Sequence, residues 1–471
     1  MSVQPVIHWF RRDLRLSDNR ALSAALSAGV PVIPLFVFDS RIYKSQRSGA
    51  PRLAFLLRAL HALDDTLRQH NSRLLIRFGT PPEALRDLVS ETNAQAVYCN
   101  DDYTPYAQER DRELKATLSV PLHLYDDLLL LAPGQVNKDD GDPFMVFTPF
   151  KKRWLSLPKM PFEPDLPPGR FHPLDGIDGK ALPTLAELGF AETIAVPDAS
   201  ESQARRLLLG FTSNSIYRYN EGRNRLAADW QHDPVNGSSF LSPYLHLGIL
   251  SIRHAYGLAQ AAQDKAPDKE SADAVEAWIS ELIWRDFYNH ILFYFPHVLK
   301  HNFRREYNAL QWRHAPAELQ AWKAGMTGYP VVDAAMRQLN ATGWMPNRAR
   351  MIVASFLCKD LLIDWREGEQ YFMQHLIDGD TAANNGGWQW TAGTGTDAQP
   401  YFRIFNPISQ SMKFDPEGTY LRRWLPELRD IPNDYIHAPW EAPTPPAGYP
   451  APLVEHNFAR KRTMEAFGVI T

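Results

Sequence analysis

Val30-Pro-Val-Ile-Pro-Leu-Phe-Val-Phe38 is an apolar run of strand length, and Val6-Ile-His-Trp-Phe10 upstream of it is another. Further short apolar runs at 73–78, 96–99 and 122–125 alternate with helix-period patterns near 19–28, 51–68, 82–91 and 107–118. Strand and helix in alternation predict a parallel, doubly wound α/β sheet, whose ligands gather at the carboxyl ends of the strands. No G-x-G-x-x-G or Walker-type loop accompanies it, so ordinary dinucleotide or nucleoside-triphosphate binding has no support there.

Beyond about residue 201 the strand signals stop. Helical periodicity covers 202–213, 243–263, 271–295, 329–340, 347–362 and 367–376, which predicts an all-α C-terminal domain. Between the halves, ten prolines fall from Pro143 to Pro197. Proline at that density favours an irregular connector, kept ordered by aromatics such as those of Phe147-Thr-Pro-Phe-Lys-Lys-Arg-Trp154. The expected division is 1–128, 129–200 and 201–471. A second proline cluster from Pro439 to Pro452 reads as an extended tail.

Composition narrows the function classes. The 471 residues are 44% hydrophobic and 12% aromatic with 13 tryptophans, enough for substantial cores. Two cysteines, Cys99 and Cys358, exclude a disulfide framework and make a cytoplasmic location the expectation. The first ten residues lack the pattern of a signal peptide, and no apolar run is long enough to span a membrane. Net charge is −4, so a nucleic-acid partner would need a local basic patch.

The chemistry is densest in Asp378-Gly-Asp-Thr-Ala-Ala-Asn-Asn-Gly-Gly-Trp-Gln-Trp390. Carboxylates and amides that can hydrogen-bond, glycines that admit close approach and flat indoles suit a planar, hydrogen-bonding ligand. In isolation the stretch reads as a polar loop capped by tryptophans. Trp278, Glu281, Trp284 and Arg285 fall near one helical face, where a charged pair among tryptophans is costly to bury without a purpose. Tyr219 and Arg223 lie one turn apart if helical. Gly237-Ser-Ser-Phe-Leu-Ser-Pro-Tyr-Leu245 sets small hydroxyls before a helix start near Pro243, which suits a phosphate.

These stretches, with Gly343-Trp-Met-Pro-Asn-Arg-Ala-Arg-Met351 and Pro400-Tyr-Phe-Arg-Ile-Phe-Asn-Pro407, resemble the flavin-binding domain of the photolyase/cryptochrome family. Within it they look most like a class I cyclobutane pyrimidine dimer (CPD) DNA photolyase, over nearly the whole chain. The resemblance implies FAD, held by Tyr219, Ser238, Ser239, Leu241, Ser242, Trp278, Glu281, Arg285, Asn347, Arg350, Asp378, Asp380 and Asn384. Phe240 departs from the pattern, since many relatives carry a basic residue there. Asn384 is placed opposite flavin N5, and asparagine is the photolyase-like choice at that position.

The implied partner is DNA containing pyrimidine dimers, met by Arg223, Glu281, Trp284, Asn347, Arg348, Met351, Trp390 and Arg403, with Lys413 a further phosphate contact. Photolyases are among the enzymes that act on a nucleotide swung out of the duplex. Reduced FADH⁻ then absorbs blue or near-UV light, gives an electron to the dimer and takes it back once the ring has split. Catalytic roles fall on Glu281, Asn384 and the tryptophan chain Trp388, Trp365 and Trp312, which photoreduces the flavin.

His8-Trp-Phe-Arg-Arg-Asp-Leu-Arg-Leu-Ser-Asp-Asn19 looks like the family's opening signature, with Asp18 or Asn19 as a helix cap. The domain it opens carries an antenna chromophore. Asn100-Asp-Asp-Tyr-Thr-Pro-Tyr106 lies where relatives place its ligands, Lys300 matches, and Leu299 replaces a cysteine of some folate binders. Methenyltetrahydrofolate, 8-hydroxy-5-deazaflavin and an empty site all stay open. A monomer is expected. Two other readings use the same module: a cryptochrome photoreceptor, disfavoured by Asn384, and a (6-4) photolyase, disfavoured because Met345-Pro-Asn-Arg348 lacks histidine.

Overall fold

The computed structural model describes residues 3–191, 194–227 and 237–468. Five parallel strands form one sheet: β1 (Val6–Phe10), β2 (Val32–Phe38), β3 (Leu75–Phe78), β4 (Val97–Asn100) and β5 (Leu122–Tyr125), in the order β3-β2-β1-β4-β5. Val6 pairs with Val32 and Ile7 with Val97, so β1 is central and the order reverses beside it. Every residue of β1 and β2 is buried, because helices cover both faces of the sheet, and this explains why their sequences are apolar without alternation.

The chain leaving β1 enters a charged loop that faces the second domain. Asn19, rather than Asp18, caps the first helix by accepting from Leu22 N–H. Asp18 instead accepts from Ser251 and Arg253, while Asp127 takes Arg15 and Arg253 at 2.6 Å each. These buried pairs join the domains.

Among the described residues no strand follows β5, and helices build the rest. The connector is tied to strands β2 and β3 by backbone bonds such as His172 N–H to Val32 O and Lys180 N–H to Ile76 O. It contains a helix, Phe147–Ser156, at a place where proline density argued for irregular chain. That helix forms because Phe150 and Trp154, four apart, bury one face against the long helix Lys269–Tyr294.

Three other expectations shift. The helix expected over 243–263 is two helices, Ser242–His246 and Ile252–Asp264. They part at Gly248, whose φ is +61° and whose absent side chain would meet Arg12 O at 2.1 Å. The helix Asn347–Ser355 runs on into a π-helical turn, Phe356–Asp360. Past the Pro439 to Pro452 cluster the tail is helical over His456–Gly468.

The candidate flavin and lesion site

The stretch read as a loop is the helix Thr381–Ala392. Asp380 starts it by accepting from Ala382 and Ala383 N–H, and Gly393 in the left-handed region ends it. Its two internal glycines differ. A Cβ on Gly386 would fall 2.1 Å from the Tyr288 ring, so this glycine seats the helix on Lys269–Tyr294. Gly387 has nothing within 4 Å and faces open space, three residues from Asn384.

Register carries the site further. Ala382 clusters with Leu292, and Gly386 meets Tyr288, so the two helices run antiparallel. One more turn brings Trp390 level with Trp284, and both indoles are half-buried. Met351, also half-buried, comes from Asn347–Ser355, which packs on the same helix.

Tyr219 sits in a short helix, Tyr219–Gly222, pressed against the serine strip: a Cβ on Gly222 would lie 2.1 Å from Gly237 Cα. Ser238 and Ser239 keep half-buried hydroxyls that bond to no described residue. Phe240 turns away at φ +51° to pack on Trp344, 4.7 Å between centroids, so its missing charge leaves the strip unaltered. Leu241 and Trp278 are buried.

Arg223 lies over the Tyr219 ring and pairs with Glu281 at 2.7 Å. Burial pushes the Glu281 carboxyl up and Arg223 pulls it back, leaving a net rise. Its side chain nevertheless keeps 34% of its surface open, so it is walled by protein but reachable. Arg285 donates to Leu128 O and Leu245 O, fixing the start of the connector to the helix behind the serines.

Asp378 gathers two expected residues, accepting from Arg350 at 2.9 Å and from Ser242 Oγ at 2.6 Å. The Asp380 carboxylate is spent inside the protein: Arg12 at 2.5 Å, His246 at 3.2 Å and the two capping N–H groups fill its acceptor positions. Burial would raise Asp380, but Arg12 and His246 outweigh it and hold it well below the carboxylate range. Its side chain therefore positions the helix that carries Asn384. Asn384 Nδ2 donates to Glu369 O at 3.0 Å, and its Oδ1 accepts from no described residue.

Of the expected DNA contacts, Asn347 and Arg403 are exposed. Arg348 is tied to Asn224 at 2.7 Å and lies over Phe414, as does Lys413.

Two family models match: "FAD binding domain of DNA photolyase" over residues 278–469 and "DNA photolyase" over 6–168. A deoxyribodipyrimidine photo-lyase of Synechococcus sp. is 43% identical over 97% of this chain and 95% of its own length. The chain belongs to the DNA photolyase family. A crystal structure of a class III photolyase from Agrobacterium tumefaciens superposes with a TM-score of 0.87 at 35% identity, covering 100% of this chain and 98% of that one. A Synechocystis cryptochrome follows at 0.86 and 30%, covering 99% of each chain.

In this photolyase the three expected tryptophans share one core cluster. Trp388 is buried and its ring fills the place of a side chain at Gly368, where a Cβ would lie 2.1 Å away. Gly368 is one turn from fully buried Trp365, whose indole N–H donates to Asn302 at 2.8 Å. Half-buried Trp312 is brought alongside by Arg313 N–H bonding to Leu362 O, just before Trp365. Sequence reasoning missed Trp322, which meets Trp388 edge-on at 6.1 Å, and the arginines Arg12 and Arg47 that cross from the α/β domain. Trp322 lies in no motif, and the arginines' partners lie more than three hundred residues away. In the antenna region, Asn100 is bonded to Asp13 and Asn19, Tyr103 to Asp126 and Tyr106 to Asp39. Among the described residues no His/Cys/Asp/Glu group could hold a metal, and no helix is long and apolar enough to cross a membrane.

Proposed function

We propose that this photolyase uses light to split cyclobutane pyrimidine dimers in DNA. The observation that carries the reading is the antiparallel register that sets Trp284 and Trp390 level, with Glu281 within one turn of Trp284. A dimer turned out of the duplex loses its stacking, and aromatic faces in the pocket replace it at about 1–3 kcal/mol per base. Glu281, raised by burial, holds a proton more readily than an ordinary carboxylate, which suits it to a pyrimidine carbonyl that gains negative charge. Asn347 and Met351 complete the wall, and Arg223, Arg348 and Arg403 meet phosphates.

The chain's residues fit FAD. Open space beside Gly387, and the Ser238 and Ser239 hydroxyls and Asn384 oxygen that bond to no described residue, make a cradle for a phosphate-bearing planar ring. Tyr219, Leu241, Ser242, Trp278, Arg285, Arg350, Asp378 and Asp380 line or brace it. Bound and reduced, FAD supplies the photoexcited electron that opens the cyclobutane ring. Trp388, Trp365 and Trp312 give a path of indoles from interior to rim. An antenna, methenyltetrahydrofolate or 8-hydroxy-5-deazaflavin, belongs to the α/β domain. Action as a monomer belongs to the same proposal, and two free buried cysteines suit the cytoplasm.

The test is recovery of thymine absorbance when the photoreduced protein is illuminated with an oligonucleotide carrying one thymine dimer. Recovery in light but not in the dark is expected, with Glu281→Ala lowering the yield by about tenfold. No recovery with reduced FAD bound would sink the proposal.

A further inference from the structure

Phe147 opens the connector helix Phe147–Ser156, and its ring lies flat on Trp284, with centroids 3.6 Å apart and planes 3° from parallel. Two bonds fix it there. Phe147 N–H donates to Asp397 Oδ2 at 3.0 Å, and Thr396 Oγ1 donates to Met145 O at 2.5 Å. The chain before Phe147 is thus tied to the loop that follows Trp390. Phe287 meets both rings edge-on from beneath, at 5.6 Å from Trp284 and 5.7 Å from Phe147.

The setting is not that of a core pair. Both residues are only partly buried, and the neighbouring Met145 and Val146 are 45% and 46% exposed. Burial alone would be served as well by an edge-to-face contact. A parallel stack at the surface holds an indole in one orientation before anything binds, and ordering done in advance is not charged against affinity.

We propose that Phe147 is a positioning residue for lesion recognition, backing Trp284 so that the indole presents one fixed surface to a pyrimidine dimer. The inference rests on the repair function proposed above. An offset or parallel aromatic contact of this kind corresponds to about three- to tenfold in binding. That contribution falls on the damaged site, because undamaged duplex leaves its bases stacked and does not use Trp284.

The experiment compares Phe147→Leu and Phe147→Tyr with the parent, all with FAD bound. It measures affinity for an oligonucleotide with one thymine dimer, affinity for the same oligonucleotide without it, and repair yield at saturating DNA. Phe147→Leu is expected to lower the ratio of the two affinities about three- to tenfold. Undamaged-DNA affinity, FAD content and yield at saturation should hold, and Phe147→Tyr should match the parent. An unchanged ratio in Phe147→Leu overturns the proposal, as does tighter dimer binding, which would mean that the ring occupies the lesion's place. Loss in Phe147→Tyr equal to that in Phe147→Leu overturns it too. If the leucine variant does not retain FAD, Phe147→Met carries the same arms. Failure of the repair reading is separate, since the parent itself would then show no dimer preference.

Discussion

His246 Nδ1 lies 3.1 Å from Arg12 Nη2 and 3.2 Å from Asp380 Oδ2, in a site that is largely but not wholly buried. Burial, then Arg12, lower its pKa from 6.5 to about 4, with Asp380 opposing and Arg52 adding a little more positive charge. The residue is therefore neutral in the folded protein at pH 7. A folded-state pKa below the unfolded value means that its contribution to stability is present above pH 6.5 and is lost as pH falls towards 4. Between pH 7 and pH 5 the loss is about 2 kcal/mol. Asp286 and Asp360, both raised to about 6 by burial, act in the opposite sense over the same range, so the whole protein's acid limb is a difference of terms. The informative measurement is differential. Urea unfolding at both pH values should show His246→Gln losing about 2 kcal/mol less than the parent on acidification. Equal losses would mean that folding leaves the His246 pKa where the unfolded chain has it.

At the scale of elements, the helix Thr381–Ala392 is where sequence and structure part most usefully. Two asparagines followed by two glycines argue against a helix, each glycine costing about 1 kcal/mol relative to alanine. Burial between three neighbouring helices and the Asp380 cap outweigh that cost, and neither is visible in a local window. The parallel sheet, by contrast, was legible, because β1 and β2 are buried on both faces and read as unbroken apolar runs. The candidate site residues were named through motif resemblance. Their partners were not: Arg12, which pairs with Asp380, lies more than three hundred residues from it, and Phe147 lies more than a hundred residues from Trp284. The two glycines also separate packing from function. Gly386→Ala pushes a methyl into Tyr288 and should cost about 1–3 kcal/mol of stability. Gly387→Ala has room and should leave melting temperature equal or higher, while its methyl, on the Asn384 face, lowers the flavin retained on purification. Thermal unfolding and the ratio of flavin to protein absorbance decide it. Normal flavin content in Gly387→Ala would place the cofactor elsewhere.

At the scale of the molecule, the α/β domain braces the flavin domain as well as accompanying it. One apolar cluster runs from Phe10 and Phe36 of the sheet through Phe55 to Tyr244, Ile279 and Trp278, without a break between domains. Polar ties cross the same boundary, and Arg47 makes the most consequential one. It pairs with both oxygens of Glu369, which is 2% exposed and whose backbone oxygen holds the Asn384 amide. Burial raises the Glu369 carboxyl and Arg47 pulls it down, so the net rise measures how poorly this carboxylate tolerates its site even with its partner present. Removing the partner alone leaves a buried charge unpaired. Since Arg47 keeps 33% of its side chain open to water, the expected cost of Arg47→Ala at pH 7 is about 2–3 kcal/mol, below that of a fully buried pair. Two results distinguish an unpaired charge from lost packing. Arg47→Ala combined with Glu369→Gln should recover part of the loss in urea unfolding, because a neutral amide needs no counter-charge. The single variant should also lie closer to the parent at pH 5 than at pH 7, because a raised carboxyl takes up its proton first in the folded state and the penalty falls with it. If the double variant is no better than the single, and the gap to the parent is the same at both pH values, the bridge contributes contact area alone. The α/β domain would then hold the flavin domain through its apolar cluster.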